Sequence, residues 1–313
     1  MGAGDTAVCG QADFDAPPNK IHPCDSNLEE SIDTLTKLVG IWDGVPHDLE
    51  RPRVSIVIPA LNEEKNLPHV AARMPTDIDE IVFVDGDSVD DTVAVARQLW
   101  PRAIHITQSR RGKGNALACG FKAATGDIIV MMDADGSADP LEISRYVAAL
   151  VSGADFAKGS RFIQGGGSAD ITKFRRFGNW GLNTLVNILF GTRYTDLCYG
   201  YNAFWRHCLD VMRLPDVGHA DHQWGDGFEI ETMINVRVAA SSLKVAEVCS
   251  FEESRVHGVS NLNAVRDGIR VLRTIRREFV QARTKGWADR RDRALRPTAL
   301  RRPRLAATSE KAS

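Results

Sequence analysis

Two aspartates two residues apart, Asp133 and Asp135, close an apolar run in the segment DIIVMMDAD. Carboxylates at that spacing on a strand end can reach one hard divalent cation that also bridges a diphosphate. Surface acids in a turn give the same pattern. Earlier in the chain, Asp85, Gly86 and Asp87 lie in VDGDSVDDT. Ser88 or Asp90 there can cap a following helix, and Asp91 suits its first turn. Lys113 stands between two glycines in RRGKGNA. A lysine beside free backbone N–H groups suits a phosphate or a nucleotide edge, though a basic loop entering a helix fits as well. Arg161 in GSRF, the glycines at 165–167 and Arg175 in KFRRFGNW follow. Their guanidinium groups can grip phosphate by paired hydrogen bonds or simply stand in solvent. Asp196 and Gly200-Tyr201 lie in TDLCYGYNAF, and Arg255 follows VAEVCSF. His219 and His222 lack metal-ligand spacing with the acids and read as structural or surface groups.

The elements around these residues alternate as in α/β proteins. VSIVIPA (54–60) is short, apolar and β-branched, as a buried parallel strand requires. Further strands are expected at 79–85, 103–108 and 127–133. Helices are expected at 66–74, 91–99, 116–124 and 141–151. Several strands end directly in polar residues: Asn62-Glu63, Asp85 to Asp87, and Asp133 to Asp135. Ligands of open parallel sheets bind beyond the carboxyl ends of the strands, so these ends mark one edge as a site.

Composition is that of a globular chain, 313 residues with 43% hydrophobic and 26% charged. A net charge of −2 points to no nucleic-acid partner. Six scattered cysteines without CxxC pairing suggest reduced thiols, hence a cytoplasmic protein. The first twenty residues lack the basic start and apolar core of a signal peptide. No apolar run reaches the roughly 18 residues of a membrane span. Residues 1–50 read as a partly disordered extension with one short helix, on the spacing of Leu28, Ile32, Leu35, Leu38 and Val39. From Leu262 to Phe279 apolar residues recur at three and four, with Arg266, Arg270, Arg273 and Arg277 on another face. Beyond them, seven arginines between Arg290 and Arg304 face one acid, Asp292. Residues 263–313 thus read as an amphipathic helix and a basic tail, able to rest on an anionic bilayer or, for the helix, to pack on the sheet.

Taken in order, the motifs resemble family 2 glycosyltransferases, in particular the dolichyl- and polyprenyl-phosphate mannose and glucose synthases. The likeness runs from Val54 to Leu262 through Pro59 to Glu63, Val84 to Thr92, Gly112 to Ala116, Asp133 to Asp135, Gly159 to Arg161, Asp196 to Tyr201 and Arg255 to Leu262. It implies a GT-A fold over 51–262, a mostly parallel mixed sheet flanked by helices. By that likeness Pro59, Ala60, Leu61, Glu63, Asp85, Lys113, Ala134 and Asp135 hold the nucleotide-sugar donor. Asp133 and Asp135 hold Mg²⁺ or Mn²⁺, and with Arg255 they form the catalytic group. Arg161, Arg175 and Arg255 surround the donor or acceptor phosphates. The chain departs from the family pattern at Ser137 (often glutamine), Tyr199 (commonly serine) and Asn261 (usually lysine).

The activity so implied is inverting transfer of a hexose from GDP-mannose or UDP-glucose to a polyprenyl or dolichyl phosphate, with possible contact to the membrane surface. A phosphate acceptor is already ionised and needs no strong base. A soluble hydroxyl acceptor, the alternative, needs one, and Asp196 and Glu229 are the available carboxylates. Nucleotidyl transfer ranks lower because no Gly-rich basic loop follows the first strand. A non-catalytic sugar-nucleotide-binding protein ranks lower because both Asp133 and Asp135 are intact.

Overall fold

The structure, a computed structural model, describes residues 51–258 and 264–284. The helix expected at 28–39, the motif end at Asn261 and Leu262, and the basic tail lie outside the described residues.

Strand β1 (Val54–Ala60) runs through the middle of the sheet, parallel to β2 (Glu80–Asp85) on one side and β4 (Ile128–Met131) on the other. With β3 (Ile104–Thr107), β5 (Phe156–Ser160), β7 (Asn202–Trp205) and β8 (Val245–Cys249) they form a seven-stranded sheet ordered β3-β2-β1-β4-β7-β5-β8. Only β7 is antiparallel to its neighbours. A small second sheet pairs β6 (Gly167–Ser168) with β9 (Phe251–Glu252).

The period-two geometry of a strand explains why the buried run of β1 carries no alternation of polarity: both faces are covered. Ile56 and Ile58 enter one core with Phe83, Val130, Tyr146 and Tyr201. Helices α1 (Leu67–Ala72), α2 (Thr92–Leu99) and α4 (Ile143–Val151) cover that side. Val57 enters the other core with Val84, Phe121, Phe156, Phe204 and Met233. There α3 (Lys113–Ala123), α6 (Cys208–Met212) and α7 (Glu229–Ala239) close the layer. A third cluster joins α5 (Lys173–Phe190), α7 and α8 (Ala264–Thr284) through Val186, Phe190, Val236, Ile275 and Ala282. Arg237 of α7 donates two hydrogen bonds, both 2.9 Å, to Glu278 of α8. The apolar stripe of α8 is thus divided: Ile275 is buried against the body while Ile269, Leu272 and Val280 stay exposed. Among the described residues no helix is long and apolar enough to cross a membrane.

Candidate active site

At the carboxyl end of β1 the strand order reverses, with β2 to one side and β4 to the other. This is the topological switch point at which α/β sheets bind ligands. A cavity of 1260 Å³ opens there, lined by Pro59 to Glu63 from β1, Gly86 after β2, Lys113 of α3 and Asp133 to Asp135 after β4. Its far wall is built by Arg161, Tyr199 to Tyr201, Glu229 and Glu231, Arg255, and Arg266 and Arg270 of α8. Pockets for drug-sized ligands run to about 1,000 Å³, so this one has room for a donor and part of an acceptor.

The loop after β1 turns through Asn62, whose φ of 58° lies in the left-handed region that asparagine tolerates better than most residues. The Asn62 side chain accepts a hydrogen bond from the Val89 amide at 2.9 Å, and the Asn62 amide donates to Ser88. The β1 and β2 loops are thereby stitched together. Asp85 is buried and accepts hydrogen bonds from the amides of Asp87 and Ser88. Its carboxylate shapes the loop, while Gly86 beside it reaches the cavity wall.

Lys113 stands at the first turn of α3 because two glycines let that turn press against the 225–227 loop. A Cβ on Gly112, whose φ is +135°, would lie 2.1 Å from the Asp226 carbonyl oxygen, and one on Gly114 would lie 1.8 Å from that of Gly225. Only glycine fits at either place. The loop is locked in turn by Arg110, which makes paired hydrogen bonds of 2.9 and 2.8 Å to the buried Asp226. The Lys113 ammonium donates to Asp133 (2.7 Å) and to Glu231 (2.6 Å). Burial lowers its pKa, but the Asp133 and Glu231 carboxylates overcome this and hold it well above the usual lysine value.

Arg255 makes the matching pair on the other aspartate. Its guanidinium lies 2.8 Å from Asp135 and 2.9 Å from Glu63. Asp135 also accepts hydrogen bonds from the Ser137 amide (3.0 Å) and hydroxyl (2.6 Å). Burial pushes the Glu63 carboxyl up, against the lowering influence of Asn66 and Arg255. Four acids and two cations therefore meet around the ends of β1 and β4.

The other expected phosphate ligands are placed differently. Arg161 is buried, with Asp196 accepting at 2.7 and 3.0 Å and Glu252 at 2.9 Å, and it stacks 4.7 Å over the Tyr199 ring. It borders the cavity, but its guanidinium is committed to those two carboxylates. Arg175 lines the cavity from α5 and contacts Asp170 at 3.2 Å. Asp196, one of the two carboxylates available as a base, is fully buried, held by Arg161 and by the Asn179 amide. Glu229, the other, is buried and accepts from the amides of Gly225 (3.0 Å) and Gly227 (3.3 Å). Asp196 is thus engaged in holding the fold, whereas Glu229 gives one oxygen to the 225–227 loop and leaves the other, 3.5 Å from Arg270 at the cavity wall, without a hydrogen bond among the described residues.

The sequence does not mark Glu231, and it marks Arg270 only as part of the basic face of a helix, not as a residue of the cavity. Glu231 sits in a largely buried helix, and its partner Lys113 is 118 residues away. Nothing local announces it.

The carboxylates of Asp133 and Asp135 offer hard oxygen donors of the kind Mg²⁺ and Mn²⁺ prefer. Among the described residues no three His, Cys, Asp or Glu side chains gather into a metal cage. This donor set suits an ion held by one or two carboxylates and completed by substrate phosphates, as Mg²⁺ commonly is.

Residues 55–211 match the glycosyl transferase family 2 domain. The chain is 31% identical over 221 residues to the polyprenol monophosphomannose synthase of Mycolicibacterium smegmatis, covering 67% of this chain and 81% of that protein. It is 29% identical over 205 residues to the undecaprenyl-phosphate mannosyltransferase of Micrococcus luteus, covering 63% and 82%. Among solved structures it resembles the glucosyl-3-phosphoglycerate synthase of Mycobacterium tuberculosis, crystallised with Mn²⁺, uridine diphosphate and phosphoglyceric acid. The TM-score is 0.57 at 21% identity, over 76% of this chain and 80% of that one. The sheet is that of a GT-A glycosyltransferase. The chain belongs to glycosyl transferase family 2.

Proposed function

We propose that this glycosyltransferase moves a hexose, with inversion, from a nucleotide-sugar of the GDP-mannose or UDP-glucose type to a polyprenyl or dolichyl phosphate. The observation that carries this reading is the pairing of Asp133 with Lys113 and of Asp135 with Arg255 inside one cavity at the switch point. Carboxylates for a cation and cations for a diphosphate stand there within hydrogen-bond distance of each other. The names of the two mannosyltransferase relatives support the lipid-phosphate acceptor.

Pro59 to Glu63 and Gly86 form the wall for base and ribose. Asp133 and Asp135 would hold Mg²⁺ or Mn²⁺, which supplies Lewis-acid neutralisation of the departing diphosphate. Lys113 and Arg255 add fixed positive charge beside the same oxygens, where charge develops as the bond to the anomeric carbon breaks. An acceptor phosphate oxygen attacks that carbon from the opposite face. The new C–O bond forms as the nucleoside diphosphate leaves with the electron pair of the old one. Being ionised already, the phosphate needs no proton removed. The engagement of Asp196 with Arg161 and Asn179 removes one of the two candidate bases and so favours this acceptor over a hydroxyl one.

The test supplies GDP-mannose or UDP-glucose with Mn²⁺ to the protein, offering either a short-chain polyprenyl phosphate or phosphoglycerate as acceptor. Radiolabel should appear in the lipid product and disappear with excess chelator. Turnover on phosphoglycerate alone would replace the lipid-phosphate reading by the soluble-acceptor one.

A further inference from the structure

Helix α5 carries a face that none of the described residues covers. Phe174, Phe177, Trp180 and Ile188 are 67%, 69%, 62% and 76% exposed. The Phe177 and Trp180 rings stack on one another at 5.7 Å. A Cβ added to Gly178 or Gly181 between them would meet nothing within 4 Å, so the space above this face is open. Large exposed aromatics gathered in one place mark a contact surface.

The charge of the same helix says what the contact is with. Lys173, Arg175 and Arg176 lie in its first turn, and no Asp or Glu occurs from Lys173 to Phe190. Cations at a helix N-terminus oppose the macrodipole, so their placement weakens the helix. Arg175 is met by Asp170, which leaves Lys173 and Arg176 for an anionic partner. Aromatic rings beside basic residues on an amphipathic helix fit the headgroup and upper acyl region of a bilayer. The patch is continuous with the catalytic cavity, since Ile171, Phe174, Arg175 and Gly178 line the cavity while Phe177 and Trp180 lie outside it.

We propose that α5 seats this protein on an anionic lipid surface, with Phe177 and Trp180 entering the acyl boundary, Lys173 and Arg176 on the headgroups, and the cavity mouth at the bilayer. The proposal deepens the lipid-phosphate reading and rests on it for its purpose. Of the two roles open to the C-terminal helix, contact with a bilayer and packing on the protein, α8 takes the second with Ile275 and Ala282, while the basic tail lies outside the described residues.

Vesicle flotation of the full chain tests it without turnover. The protein should float with vesicles of phosphatidylcholine and phosphatidylglycerol, and less as salt rises through about 0.1 M, where the Debye length falls to about 10 Å. The double variant F177E/W180E should bind at least about tenfold more weakly. K173E/R176E should lose the preference for anionic over pure phosphatidylcholine vesicles. I269E/L272E, on the exposed side of α8, should float as the parent does. All four residues of the α5 variants lie outside the cavity lining, so stabilisation by nucleotide-sugar should be retained and reports an intact fold. Flotation of F177E/W180E equal to the parent overturns the proposal, as does a parent protein that stays unbound at low salt. A dimer that W180E dissolves, with no vesicle binding, assigns the patch to a second copy of the chain and overturns it too. Vesicle binding without turnover on any lipid phosphate leaves the docking standing and removes only the acceptor reading.

Discussion

Asp133 and Asp135 look alike in the sequence, yet the fold gives them different company. Asp133 faces an ammonium shared with Glu231, while Asp135 faces a guanidinium shared with Glu63 and is further oriented by Ser137. Asp135→Ala should therefore abolish transfer, and Asp133→Ala should slow it severely, each by on the order of 10²–10³-fold or more, since charge on the leaving diphosphate goes uncompensated. Activity of the parent protein persisting in excess chelator would refute this assignment. The position Ser137 belongs to the same argument. It departs from the glutamine common in the family, and here its hydroxyl braces Asp135. Ser137→Ala should weaken metal-dependent donor binding while leaving the protein folded, as measured by titration calorimetry with and without Mn²⁺. At this scale the sequence points to the two aspartates and Lys113 because each stands at the end of a regular element, and to Arg255 only through the order of the motifs. It could not disclose Glu231, Asn179 or Glu252, whose roles depend on partners brought close only by the chain's return through β7, α7 and β9.

Helix α3 shows how an element positions chemistry by what it leaves out. Gly112 and Gly114 allow its first turn to touch the 225–227 loop, and that contact aims Lys113 at Asp133 and Glu231. Gly114→Ala should push the turn away, costing about 1–3 kcal/mol as overpacking does. Both the urea midpoint and donor affinity should fall. A variant as stable as the parent with unchanged donor binding would show that the contact does not set the lysine. The same loop depends on Arg110 and Asp226. The Arg110 guanidinium and the Gln223 amide, winning over burial, hold the Asp226 carboxyl below its ordinary value. A lowered native pKa means that the unfolded chain binds the proton first as pH falls. The stabilisation is therefore complete above the unfolded aspartate range, near pH 4, and is lost as pH drops through the lower native value. Asp226→Asn should cost about 3–5 kcal/mol at neutral pH by leaving Arg110 unpaired, and should flatten the acid limb of the stability profile. Unfolding curves taken across that limb check the sign. Elements with long apolar runs, β1, β2 and β4, were legible within a residue or two. β5 (FAKGS) and β7 (NAFW) were not, because Lys158, Gly159 and Asn202 interrupt the pattern and only burial between neighbouring strands makes them strands.

For the molecule as a whole, the strand order makes one crevice the meeting place of three loops that are distant in sequence. The GT-A reading follows from the order of motifs along the strands and helices expected from the sequence, while the share of the wall given by α8 does not, since Arg266 and Arg270 reach the cavity only through packing of α8 on α5 and α7. A nucleotide-sugar of the correct base, with Mn²⁺, should raise the melting temperature: at a hundred times its dissociation constant a ligand specific for the native state adds about 2.7 kcal/mol. Absence of stabilisation by every guanine and uracil nucleotide-sugar would remove the donor reading. The carboxylates of the cavity already carry their own counter-ions in Lys113 and Arg255, so a divalent ion arriving alone must evict them, and a diphosphate arriving alone finds them engaged. Arriving together, the two ligands exchange partners with the side chains, and every charge keeps a partner of opposite sign. Affinity for each should then rise with the concentration of the other by one common factor, because a coupling free energy is the same read from either side. With the proposed ligands such a site would behave as a logical conjunction, indifferent to free metal and to free nucleotide and responsive to their coincidence.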